Sequence, residues 1–106
     1  MHGLSVARHK QMNDALWKLE QLMKARGDVG SANEIGLRRR QLDEYFDVYT
    51  GMLETLSDQI LVYEKLYSDI KANQISKKLL MLKKKIKPLH QNFEQLIDVI
   101  TSHYGT

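Results

Sequence analysis

Cysteine is absent from the 106 residues, and disulfides, thiolate nucleophiles, zinc fingers and iron–sulfur clusters are excluded with it. Proline occurs once and glycine six times. A strand-and-turn protein needs turn residues about every 8 to 12 positions, so this scarcity points to helices. No run of about 18 apolar residues is present, and the first ten residues lack the apolar core of a secretory signal. The expectation is an all-α protein of the cytoplasm or nucleus with no transmembrane segment.

Apolar residues make up 42% of the chain and charged residues 27%, which is ordinary for a globular domain and far from the regime of disorder. The length suits one helical domain spanning 1–106. The net charge of +3 hides a segregation: residues 1–40 carry +4, 41–70 carry −6, 71–87 carry +7 and 88–106 carry −2. Alternating blocks of sign favour pairing of an acidic helix with a basic one, within the chain or head to tail between chains.

Apolar spacing predicts three helices, at about 4–26, 31–72 and 75–104. In the first, Met12, Ala15, Leu16, Leu19, Leu22 and Met23 share one face. Gly27 can take the left-handed conformation that ends it. Ser31 followed by Glu34 has the form of a capping box for the next helix. There, Ile35, Leu42, Tyr49, Leu56, Tyr63 and Ile70 recur every seven residues, with Phe46, Leu53, Ile60 and Tyr67 four behind. Gly51 is the weak point of this helix, and a four-helix bundle broken at Gly51 is the alternative. Asn73 is expected to carry the second turn. In the third helix Ile75, Leu79, Leu82, Ile86, Leu89, Phe93, Leu96 and Ile100 alternate spacings of four and three, the a/d seam of a coiled coil. Pro88 removes the amide that would bond to Lys84 and should kink or restart this helix.

Short connections make successive helices antiparallel, giving an elongated antiparallel three-helix bundle. With Trp17 as the only tryptophan, in the first helix, the layout resembles a single spectrin-type repeat. His90 or Phe93 stands where such a repeat would carry a second tryptophan in its third helix. Unequal helix lengths should leave part of the middle stripe bare, and a bare apolar stripe is usually an interface. Tyr45, Tyr49, Met52, Leu56, Tyr63 and Tyr67 are the candidates for it.

The second candidate is cationic. Lys77, Lys78, Lys83, Lys84, Lys85 and Lys87 project away from the third-helix seam, and Arg38, Arg39 and Arg40 form a separate cluster. Either could meet an anionic partner, nucleic acid included. No aromatic residue lies among the lysines to stack a base. Arg26-Gly27-Asp28 reads as a helix stop rather than an adhesion motif. The four histidines lack ligand spacing, so no metal site is expected, and no nucleophile is paired with a base, so no catalytic residue, cofactor or small-molecule substrate is expected either. The leading expectation is a noncatalytic interaction or assembly module, either a homo-oligomer or a subunit of a larger complex. Binding of nucleic acid or an anionic surface through the 77–87 lysines, and a helical secretion or assembly chaperone, are the alternatives.

Overall fold

A computed structural model describes the backbone of residues 2–104 and the side chains of residues 5–104. It is an all-α bundle whose elements are α1 (His2–Ala25), α2 (Val29–Ile70), α3 (Asn73–Lys84) and α4 (Ile86–His103). No strand occurs among the described residues.

The helix ends show how local chemistry sets the boundaries. Gly27 has φ 79°. Its N–H bonds to the Lys24 carbonyl at 3.0 Å, and the Asp28 N–H reaches the Met23 carbonyl at 2.9 Å, the paired bonds of a Schellman stop. The expected capping box at Ser31 and Glu34 is replaced by a cap three residues earlier. Asp28 Oδ1 accepts the Ser31 N–H at 3.1 Å, so α2 begins at Val29. A carboxylate there both satisfies an unpaired amide and faces the positive end of the helix dipole.

α2 runs through Gly51 without interruption for 42 residues, roughly 60 Å at 1.5 Å per residue. The alternative with a break at Gly51 is thereby excluded. The second turn is also displaced from its expected place. Lys71, not Asn73, takes the left-handed conformation, with φ 57°; Ala72 is extended and Asn73 opens α3. The interruption in the third helical stretch falls at Lys85, whose N–H bonds back to the Leu82 carbonyl at 3.1 Å. Pro88 becomes the third residue of α4, in the first turn, where a missing N–H costs no helix bond.

Contacts divide the chain into two units, 1–47 with 93–106, and 48–92. In the first, α1 lies antiparallel to the N-terminal half of α2, and the C-terminal part of α4 completes three helices. Leu16, Ala32, Ile35, Leu42, Phe93 and Ile97 are buried at its centre. The His9 ring stacks on Phe46 at 4.1 Å, and Phe46 meets Phe93 at 5.4 Å. Charges close its flanks. Arg39 pairs with Glu20 at 2.5 Å, His9 Nε2 lies 2.8 Å from Asp43, and Arg8 reaches both Glu94 and Asp98.

The second unit is a helical hairpin: α2 from residue 48 onward against α3 and the first residues of α4. Its buried set is Tyr49, Leu53, Ile60, Leu82 and His90. Leu56, Tyr63, Ile75, Leu79, Ile86 and Leu89 are half-buried around it. The Tyr49 hydroxyl and His90 Nδ1 share a buried hydrogen bond of 2.5 Å. A polar pair in so small a core restricts the register, because any slip would strand both groups.

Candidate functional site

The expected interface residues separate into two groups. Tyr49 is only 3% exposed and is committed to His90, which withdraws it as a partner-facing residue. Leu56 and Tyr63 are half-buried, because α3 and the start of α4 cover the α2 seam on which they lie. Tyr45, Met52 and Tyr67 are exposed; Tyr45, in the first unit, lies against Phe93 with ring centroids 6.3 Å apart.

What the hairpin leaves bare is a second seam on α2. Val48, Met52, Thr55, Gln59, Val62 and Leu66 follow one another at spacings of four, three, four, three and four, and therefore share one face of the helix. All six are exposed. Val48 is 60% accessible, Met52 50%, Val62 58% and Leu66 38%. None is charged, although Glu54, Asp58, Glu64 and Lys65 occupy the positions between them. The Thr55 hydroxyl donates to the Gly51 carbonyl at 3.0 Å, which spends its polarity on its own helix and leaves Gln59 as the stripe's one amide. The sequence reading missed this seam because it lies beside the stronger heptad of Tyr49, Leu56 and Tyr63. The same alternation of three and four was there to be read.

The lysines stand as the sequence implied: Lys77, Lys78, Lys83, Lys84, Lys85 and Lys87 are all exposed. Lys83 Nζ lies 3.9 Å from Glu64, and the other five make no ion pair among the described residues. The arginine cluster disperses. Arg39 is half-buried and bonded to Glu20 and, at 3.4 Å, to Asn13; Arg38 donates to Gln41 at 2.7 Å; Arg40 is exposed. Arg39 thus serves the fold of the first unit and is not free to hold an anion.

The first unit carries a groove of about 450 Å³ whose floor is Leu42, Leu96, Val99 and Ile100, with Glu34, Arg38 and Tyr104 among its polar residues. The Tyr104 hydroxyl is buried there, and no group among the described residues meets it at full hydrogen-bond geometry, Arg38 being the polar side chain that faces it. Burial, reinforced by the Glu34 carboxylate and opposed by Arg38, raises its pKa above the ordinary phenol value. Among the described residues no cluster of histidine and carboxylate groups could hold a metal ion, and no helix is long and apolar enough to cross a membrane.

No protein-family model, curated protein or solved structure matches the chain.

Proposed function

We propose that this chain is a noncatalytic assembly module that self-associates by burying the second seam of α2 against the same seam of another copy. The bare stripe of Val48, Met52, Thr55, Gln59, Val62 and Leu66 carries the reading. Four apolar side chains held in line on a rigid helix are costly to leave in water. Burying a side chain of the Val, Leu or Met type contributes roughly 1.5 to 3 kcal/mol. A narrow uncharged seam with charges on either side is the pattern by which one helix accepts another. Gln59 fits the same role, since a single amide in an apolar seam favours one register over its neighbours.

A second copy suits the stripe because its two borders carry opposite net charge: lysines of α3 on one side and, on the other, Asp58 and Asp69 of α2, which outnumber Lys65 between them. The test is sedimentation equilibrium or light scattering across protein concentration, comparing the natural chain with Val62→Glu and Leu66→Glu. Both positions are exposed, so the substitutions should leave helix content unchanged. A dimer in the natural chain that becomes a monomer in both variants supports the reading. A natural chain that stays monomeric at the highest attainable concentration overturns it. Retention on heparin that Lys84→Glu abolishes, in a chain that stays monomeric, would support instead the anionic-partner reading of the lysines.

A further inference from the structure

The borders of the stripe also fix how two copies would meet. Glu64 and Lys83 are in contact, which identifies the flank of α2 that lies beside a given flank of α3. At 100° per residue, Glu64 stands about 60° to one side of the Tyr49, Leu53, Leu56, Ile60 seam, and the bare stripe about 60° to 140° to the other. On α3, Lys83 stands about 80° to its side of the Ile75, Leu79, Leu82, Ile86 seam, and Lys78 and Lys85 about 60° to 80° to the opposite side. Lys78 and Lys85 therefore border the bare stripe. Asp58 and Asp69 border it along the far edge, on α2 itself, with Lys65 and Glu54 about 20° and 40° beyond Asp58, so that this edge is net acidic. Lys78, Lys85, Asp58 and Asp69 are all exposed, and none is in an ion pair among the described residues.

Level along the hairpin matches as well. Lys85 falls between the Tyr49–His90 and Glu64–Lys83 contacts, as Asp58 does. Lys78 falls between the Glu64–Lys83 contact and the turn at Lys71, as Asp69 does.

Two orientations can bring one stripe against another. An antiparallel pair keeps like borders together, lysine against lysine and aspartate against aspartate. A parallel pair, related by a two-fold axis running along the helices, sets the lysine border of each copy against the aspartate border of the other. We infer that two copies of this chain pair through α2 in parallel and in register, with Lys85 facing Asp58 and Lys78 facing Asp69 across both borders. This rests on the self-association proposed above and adds its geometry. Opposite charges on the rim contribute modestly to affinity, and like charges in juxtaposition cost more, so the borders act mainly by excluding the antiparallel mode.

Because the chain has no cysteine, single cysteines report orientation cleanly. In a parallel pair Val48→Cys cross-links to itself on mild oxidation, and so does Leu66→Cys. In an antiparallel pair those positions are about 27 Å from their own counterparts, 18 residues along the helix, and disulfides form only when the two variants are mixed. Charge exchange supplies an independent arm. Lys78→Glu with Lys85→Glu, and separately Asp58→Lys with Asp69→Lys, should each weaken self-association at least tenfold. An equimolar mixture of the two double variants should recover natural affinity as a heterodimer, since every border then meets its opposite. Self cross-linking at both positions together with recovery on mixing establishes the arrangement. A dimer that cross-links only between Val48→Cys and Leu66→Cys overturns the orientation and leaves self-association standing. A chain monomeric throughout overturns both.

Discussion

Replacing Gly51 with alanine should stabilise the protein by about 1 kcal/mol, the difference between the two residues in a helix interior. The structure removes the usual reasons for a smaller gain. Gly51 lies inside α2 and does not share the positive φ found at Gly27, so a side chain adds no backbone strain. A Cβ built there meets nothing within 4 Å, so no packing penalty offsets the reduced entropy of the unfolded chain. For a domain of this size about 1 kcal/mol corresponds to a Tm higher by roughly 4 to 8 °C. Thermal and urea unfolding followed by circular dichroism would measure it, in a Val62→Glu background so that self-association does not enter. Gly36 is the internal control. A Cβ there falls 2.7 Å from Glu20 Oε1, so the carboxylate that holds Arg39 must swing aside and Gly36→Ala should gain less. A Gly51→Ala variant that is less stable than its parent, or that ranks below Gly36→Ala, would refute a continuous α2.

Two further predictions concern single groups. Asp28→Ala should lower Tm at neutral pH, because the carboxylate accepts the Ser31 amide. The hydrogen bonds from Ser31 hold the Asp28 pKa below its ordinary value, so its contribution is complete above the unfolded carboxylate pKa and is lost as pH falls through the folded one. The two proteins should therefore converge in acid, and a gap that persists at the acid end would refute the cap. Tyr104→Phe removes a buried hydroxyl that has no well-formed hydrogen bond among the described residues and should be neutral or stabilising by up to roughly 1 kcal/mol. Its raised pKa means that the natural chain loses stability relative to the phenylalanine variant as pH rises past the ordinary tyrosine range, which an alkaline unfolding series would detect.

Periodicity made the helices legible, because a seam of eight residues such as Ile75 to Ile100 has one reading at 3.6 residues per turn. It also carried across Gly51, where local propensity alone argued for a break, whereas near Pro88 the helix does restart, at Ile86. The turn at Lys71 was not legible. A lysine pays the steric cost of the left-handed conformation that asparagine bears more easily, while its N–H still closes the last turn of α2 on the Tyr67 carbonyl. The second seam was hidden for a different reason. A single face search ends at the strongest heptad, and only the exposures of Val48, Met52 and Val62 show that a second face lies uncovered. Arg38, Arg39 and Arg40 looked like one cluster along the chain, yet consecutive helical residues point about 100° apart and serve different neighbours.

The hairpin unit gives the strongest reason to expect the stripe to be covered. Two helices can bury only the line where they touch, and in residues 48–92 that line comprises Tyr49, Leu53, Ile60, Leu82 and His90. Units this small are marginal unless something adds to their core. A second hairpin set against the bare α2 face would turn two helices into four and sequester Val48, Met52, Val62 and Leu66 together. Stability in this unit should then depend on protein concentration, as it does wherever association adds to folding. Hydrogen exchange would show the effect locally: amides of α2 between Leu53 and Leu66 gain protection as concentration rises in the natural chain. They do not in Val62→Glu, while amides around Leu16 and Ile35, in the other unit, stay unchanged in both proteins. Protection around Leu53 that is independent of concentration in a demonstrably dimeric chain would mean that the hairpin is stable alone and that the dimer forms through another face.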